Sequence, residues 1–234
     1  MHREKAQKGM NEIFLTELKK LAPRLTERQL EQCAAYYEAL IRTNGQLNLT
    51  AITEPAPAAQ KHFADSLAAA DVLPPRAHVL DVGSGGGFPG VPLKIARPYV
   101  KMTLLDSVGK KTDAVRAMAA SVGVDVVCVS GRAEELARAQ GRGQFDAVVS
   151  RAVAALPMLM ELCVPFLRVG GIFCAYKQKD AEDIAHAENA RQTLHLAEKD
   201  RVEYGKNVVL VYEKTHKTPP EFPRRFAKIK KSPL

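Results

Sequence analysis

The chain reads as an α/β protein: a seven-stranded, mostly parallel sheet covered by helices on both faces, closed by an antiparallel C-terminal hairpin and preceded by a helical lead-in. Three observations predict this. Short apolar runs at 78–82, 101–106, 124–130, 145–150 and 171–177 alternate with helical patterns at 89–97, 108–122, 133–140 and 157–167, and strand–helix alternation builds a parallel sheet with both faces buried. Two further runs, 195–204 and 207–213, have only Gly205-Lys206 between them. That is too short for a parallel crossover, so they pair antiparallel. Finally, the first strand opens into "DVGSGGGFPG" at 81–90, a loop whose missing Cβ atoms let backbone approach a ligand.

Taken in order, residues 11–22 and 26–43 form amphipathic helices. Thr26 and Gln29 make a capping box, and Leu30, Cys33, Ala34, Tyr37, Leu40 and Ile41 keep helical spacing. A third helix is expected from about 55 to 70, with Thr53 as its start signal and Pro74-Pro75 ending the region. Another spans 180–194 before the sixth strand. The organisation is therefore a helical extension or lid (1–74), an α/β domain (75–214) and a basic tail (215–234).

Bulk properties narrow the function classes. A length of 234 residues suits one large domain or a domain with an appendage, and 46% hydrophobic with 26% charged residues is an ordinary soluble composition. No stretch approaches the roughly 20 uncharged residues of a membrane span. The polar "MHREKAQKGM" start is unlike a signal peptide. Cys33, Cys128, Cys163 and Cys174 sit singly in apolar runs, so reduced core thiols in a cytoplasmic protein are expected. No metal site is expected either. A net charge of +8 and a pI near 9.3 favour a polyanionic partner. The tail concentrates that charge: "KTHKTPPEFPRRFAKIKKSPL" places prolines and two phenylalanines among its cations, which argues for an extended, docked segment.

The glycine loop fits two cofactor patterns. Asp81-x-Gly83-x-Gly85-x-Gly87 is the spacing of a methionine-nucleoside loop, and Gly85-x-Gly87-x-x-Gly90 that of a dinucleotide loop. Dinucleotide domains normally continue with parallel crossovers and add a substrate domain. The terminal hairpin leaves no room for one, which favours the methionine nucleoside. In a doubly wound sheet the ligand lies beyond the carboxyl ends of the strands. There, Gly83, Gly85 and Gly87 follow the first strand, and the next helix offers free N–H groups. Asp106 ends the second strand, placed to accept from both ribose hydroxyls, and Ser107 follows it as a second contact or as a helix cap. Ala133-Glu134 follow the third strand. They frame an adenine edge, or Glu134 is a first-turn acid held by the helix dipole.

At the end of the fourth strand, "VVSRA" contains neither an (Asp/Asn)-Pro-Pro-aromatic turn, used by exocyclic-amine methylating enzymes, nor a Pro-Cys nucleophile. Arg151 stands there instead, suited to a carboxylate, a phosphate or a guanine edge. His62, Asp65 and Ser66 occupy one face of the third helix. A hydrolytic triad needs its serine on a strained, exposed turn beside an oxyanion hole, and nothing of the kind surrounds Ser66. The cluster is expected to line the cleft from the lid. The "VGG" before the fifth strand also suits a class I methyltransferase.

Together these stretches resemble one family, the ribosomal small-subunit methyltransferase G (glucose-inhibited division protein B) family. The similarity runs in order through "LNLTAI" (47–52), "KHFADSL" (61–67), "LDVGSGGGFPGVPLKIARP" (80–98), "LLDSVGKK" (104–111), "GRAEEL" (131–136), "VVSRAVA" (148–154) and "TPPEFPRR" to "KSPL". The resemblance implies a class I, Rossmann-like fold, S-adenosylmethionine as cofactor, and methylation of N7 of a guanosine in 16S rRNA on the small ribosomal subunit. It implies cofactor contacts at Gly83, Phe88, Ala133, Glu134 and Arg151, with Asp106 as the ribose acid. Thr43 stands where the family has tryptophan, and Gly86 where it has alanine or proline.

N7 carries a lone pair and no proton, so no general base is required and positioning supplies the rate. Arg151 is the candidate catalytic residue, positioning cofactor or guanosine, and Glu134 or Asp65 the acid near the transferred charge. Candidate RNA contacts are His62, Asp65, Lys110, Lys111, Lys177, Arg224 and Arg225, with the basic N-terminal helices. A monomer is expected. The alternatives are an NAD(P)-dependent oxidoreductase and a ribosome-associated protein that binds the nucleoside without catalysis.

Overall fold

The computed structural model describes residues 2–151, 154–179 and 181–234, with backbone alone at 2–8 and 181. Its seven strands are β1 (His78–Val82), β2 (Lys101–Asp106), β3 (Val127–Ser130), β4 (Phe145–Arg151), β5 (Leu167–Gln178), β6 (Leu196–Tyr204) and β7 (Asn207–Lys214). They form one sheet in the order β3-β2-β1-β4-β5-β7-β6. The first five run parallel, and β7 enters antiparallel between β5 and β6. Strand order reverses between β1 and β4, where such sheets bind ligands.

Alternation along the central strands sends successive side chains to opposite layers. Val79, Ala147, Val149, Ile172 and Cys174 face one core, with α1 (His2–Leu21), α2 (Glu27–Leu47), α4 (Gly90–Ala96) and α5 (Gly109–Ser121). Leu80, Val148, Phe173 and Ala175 face the other, with α6 (Ala133–Ala139), α7 (Leu156–Cys163), α8 (Ala181–His186) and α9 (Glu188–Thr193). The helical lead-in shares the first core: Phe14 stacks on Tyr37 at 4.5 Å, and Phe63 meets Phe14 edge-on at 4.9 Å. The tail shares the second through Phe222 and Ile229.

The capping box opens α2 as expected, Thr26 Oγ1 accepting from Gln29 N while Gln29 Oε1 accepts from Thr26 N. Gln29 also donates to the carbonyl of Ile95 at 2.9 Å, and Tyr36 donates to that of Gly86 at 2.9 Å. Thus α2 grips both the glycine loop and the helix that follows it.

Three expectations need correction. The third helix is not uniform: after α3 (Pro55–Ala58) it widens to a π turn at Ala59–Ala64 and tightens to a 3₁₀ turn at Asp65–Ala69, so His62, Asp65 and Ser66 do not lie on the regular α-helix expected. β5 begins at Leu167, running through Gly170-Gly171 with a register shift against β4, where a turn was expected. The tail, expected as an extended, docked segment, is docked through Phe222 and Ile229 but includes a short helix, α10 (Phe226–Lys231). Six residues with Phe226 and Ile229 facing inward are too few for a periodic signal. Asp180, at the start of the helix expected over 180–194, lies outside the described residues.

Candidate active site

Two cavities flank the β1–β4 switch point. The first, about 370 Å3, is lined by Val82, Gly83, Leu105, Asp106, Ser107, Gly131, Arg132, Ala133, Glu134, Leu162 and Phe226. The ends of β1, β2 and β3 bring these groups together. Asp106 is already structural: its two carboxylate oxygens accept from Gly85 N and Val108 N, each at 2.9 Å. Each oxygen retains a lone pair for a hydroxyl. Ser107 does not cap α5, whose N-cap is Val108; it lies exposed on the cavity rim. Glu134 is 5% exposed, and Arg132 Nε lies 2.9 Å from its Oε1. The Arg132 guanidinium sits 4.7 Å from the Phe226 ring centre, so the C-terminal helix closes this cavity.

The loop glycines divide by task. Gly85 holds φ +52 with open space where a Cβ would stand, so its demand is conformational. A Cβ on Gly90 would lie 2.3 Å from Leu104 Cδ2 and 2.8 Å from Asp81 Oδ2. One on Gly86 would meet ordinary contacts at 3.4 Å, so the structure has room for a methyl group there. Gly90→Ala should destabilise the fold by about 1–3 kcal/mol through overpacking, and Gly86→Ala should be near neutral, as urea unfolding would measure.

Asp81 carries the clearest unmet demand. It is fully buried, its Oδ2 accepts from Gly90 N at 2.8 Å, and its Oδ1 has no partner. Burial pushes its carboxyl up to about 7, against the pull of the Gly90 N–H and Arg151. A buried carboxylate oxygen without a donor is costly. A ligand ammonium group would satisfy it.

The second cavity, about 500 Å3, lies beyond β4, β5 and the β6–β7 turn. It is lined by Ile52, Lys61, His62, Asp65, Arg151, Tyr176, Lys177, Gln178, Asp183, Tyr204 and Asn207. Arg151 reaches the helical lead-in, donating to Lys61 O at 2.7 Å and Ser66 Oγ at 3.1 Å. His62 stacks on Phe88 at 4.5 Å, 15° from parallel, and its Nε2 lies 2.7 Å from Thr50 Oγ1. Burial, reinforced by the Arg151 charge, pushes its imidazole down to about 4, so it is neutral at physiological pH. Ser66 is fully buried and donates to His62 O at 2.5 Å, which removes it as a nucleophile. A π turn is a common device at functional sites; here His62 within it and Asp65 just after it line one cavity.

The expected site residues separate accordingly. Gly83, Asp106, Ser107, Ala133 and Glu134 meet at the first cavity, and His62, Asp65, Arg151 and Lys177 at the second. The Phe88 ring lines neither. It is 6% exposed and packed among His62, Tyr36 and Phe63, with Arg151 5.7 Å from its centre. Gly87 likewise packs on α2, a Cβ there lying 2.4 Å from the Tyr36 hydroxyl. Lys110 and Lys111, in the first turn of α5, and Arg225 have no ion pair among the described residues. Arg224, expected to meet RNA, is instead held by Glu161: its Nε and Nη2 donate at 2.8 and 2.6 Å. Lys177 is likewise paired, 2.5 Å from Asp183.

Sequence reasoning missed Phe226, Arg132 and Leu162 at the first cavity, and Tyr204, Asn207, Gln178 and Asp183 at the second. Residues 204 and 207 flank the predicted hairpin turn, and the carboxyl-end rule extended to the last pair of strands would have found them. Nothing local marks Phe226.

The strand order, the glycine loop at the switch point and the acid ending β2 define a class I methyltransferase fold. Among solved structures, the chain is similar to the ribosomal protein L11 methylase of Lactobacillus delbrueckii subsp. bulgaricus, with TM-score 0.52 and 19% identity over 65% of this chain and 78% of that one. It is also similar to a chain from the Haloferax volcanii complex between a methyltransferase activator and a methyltransferase, with TM-score 0.57 and 14% identity over 76% and 98%. The family model for rRNA small subunit methyltransferase G matches residues 29–210. Proteins of that name from Streptococcus gordonii (38% identical over 90% of this chain and 93% of theirs) and Clostridium kluyveri (37% over 95% and 98%) align along nearly the full length. The chain belongs to the rRNA small subunit methyltransferase G family.

Proposed function

We propose that the protein transfers a methyl group from S-adenosylmethionine to N7 of a guanosine in 16S rRNA. The observation that carries the cofactor assignment is Asp81, a buried carboxylate with an oxygen lacking a donor, on the strand whose next two residues, Val82 and Gly83, line the first cavity with Asp106. The residues fit the group. Asp81 answers the methionine ammonium, Asp106 the ribose hydroxyls, and the wall of Leu105, Ala133, Leu162 and Phe226 an adenine, with Glu134 at its edge. Bound there, S-adenosylmethionine supplies an electrophilic methyl on a sulfonium that departs as a neutral thioether.

The chain's own part is to position and to exclude water. N7 of guanine has an in-plane lone pair and no proton, so the site needs no general base. Neutral His62 and the carbonyl-anchored Arg151 line the second cavity. Arg151, whose guanidinium burial pulls downward from its ordinary range, stays cationic and holds the lid to the end of β4. Arg151→Ala should lower turnover by about 10–100-fold through misplacement with the fold retained; unchanged turnover would remove it from the mechanism. Cationic side chains at and next to the second cavity, Lys61 on its lining and Lys206 in the adjoining groove, suit phosphates, and the affinity they supply falls with salt.

Affinity for the cofactor should depend on pH through Asp81. The free protein holds the Asp81 proton until about pH 7, and an ammonium partner requires the carboxylate. Binding below pH 7 therefore releases a proton, and affinity rises as pH increases towards 7 and then levels off. Calorimetry in buffers of different ionisation enthalpy would count that proton. Tight binding of S-adenosylmethionine, with none of NAD, is the expected result; the reverse preference would overturn the assignment.

A further inference from the structure

We infer that the second cavity receives the target guanine by its Watson–Crick edge, with Asp65 as the acceptor that reads it. This rests on the N7 reading above. Attack through N7 requires that the N7 lone pair face the methyl group, so no side chain that holds the base can donate to N7. The base must be gripped from its other edge, where N1–H and the N2 amino group present two adjacent donors. A carboxylate, acceptor-only and with two oxygens, is their complement.

Of the two carboxylates lining the cavity, Asp65 and Asp183, only Asp65 is uncommitted. Arg151 is spent on Lys61 O and Ser66 Oγ, Lys177 on Asp183, and Tyr176 donates to Ser66 O at 2.5 Å. The half-buried Asp65 carboxylate makes neither a hydrogen bond nor an ion pair with any described residue. Desolvation raises its pKa despite the charges of Lys61 and Arg151. A second unmet group, His62 Nδ1, is buried without a partner on a residue of the same wall. The Tyr204 ring, tilted 68° to Tyr176 at 6.2 Å, supplies an aromatic surface beside Asp65, as base-binding pockets do. The free protein thus bears the cost of desolvating a carboxylate that gains donors only when guanine arrives.

The contact also favours the transition state. As the methyl transfers, the purine becomes cationic and its N1–H more acidic, so the bond to Asp65 strengthens as the reaction proceeds. Such an interaction acts on turnover more than on ground-state affinity.

The test uses small subunits reconstituted with 16S RNA carrying either guanosine or inosine, which lacks the N2 amino group, at the modified position. Single-turnover methyl transfer is compared for the wild type and Asp65→Asn. The expected result is a loss of about 100-fold for Asp65→Asn on guanosine, with S-adenosylmethionine affinity and melting temperature unchanged. Inosine should slow the wild type by about 10-fold or more and add little to the variant. Wild-type rates in Asp65→Asn, or an equal inosine penalty in both proteins, would overturn the role of Asp65 while leaving the methyltransferase reading intact. No transfer by the wild type to guanosine would overturn that reading, and this one with it.

Discussion

Asp106→Ala should weaken S-adenosylmethionine binding by at least about 100-fold while leaving the chain folded. Two losses combine. The ribose hydroxyls lose a charged acceptor, each such bond contributing about 1.5–3 kcal/mol. In addition, the Gly85 and Val108 N–H groups, now 2.9 Å from the two carboxylate oxygens, lose the anchor that shapes the loop. Asp106→Asn keeps one oxygen and should fall between. Calorimetric titration with S-adenosylhomocysteine, which shares the ribose, measures the effect without turnover. A dissociation constant within threefold of wild type would show that the nucleoside lies elsewhere.

Arg224→Ala should be the most destabilising change outside the core. Glu161 is fully buried, and its carboxylate accepts from Arg224 N at 2.7 Å and from the guanidinium at 2.6 and 2.8 Å. Removing the cation leaves a buried charge with one backbone donor, a loss of about 3–5 kcal/mol, or roughly 10 °C in melting temperature for a chain of this size. The same change should weaken cofactor binding. The Arg224–Glu161 pair holds the tail against α7, together with Arg142, which donates to the carbonyls of Thr218 and Phe222, and Arg138, which donates to that of Pro223. That mooring places Phe226 in the first cavity. Lys230→Ala, on an exposed side chain of α10, should do neither. A melting temperature within a degree or two of wild type for Arg224→Ala would show the tail to be only loosely held.

How far the sequence revealed this architecture follows from the range of the forces involved. The parallel strands, the hairpin and the capping box of α2 are set by local periodicity and by the residues at chain reversals, and all were legible. The π turn at Ala59–Ala64 was not. An extra residue in one turn of an alanine-rich helix leaves its apolar spacing almost unchanged, and only packing of His62 on Phe88 and of Phe63 on Phe14 selects it. The glycine pair of β5 was taken for a turn because glycine at 170 and 171 signals reversal locally; in the sheet it absorbs a register shift.

The site shows the same division. Asp106, Ala133 and Glu134 could be placed because the first ends a strand and the other two follow one. Arg224 was read as an RNA contact from charge alone, and its partner Glu161, 63 residues away, has no sequence signature. Phe226 and Tyr204 enter the cavities through the docking of the tail and the pairing of β6 with β7, long-range events that no local pattern encodes.

The central claim is tested most directly by incubating the purified protein with S-adenosylmethionine labelled in its methyl group and small ribosomal subunits lacking the modification, then cleaving the RNA with borohydride and aniline. Label in 16S RNA coincident with one cleavage site, at a single 7-methylguanosine, is the predicted result. Label on a nucleotide resistant to that cleavage, or none despite cofactor binding, would contradict it.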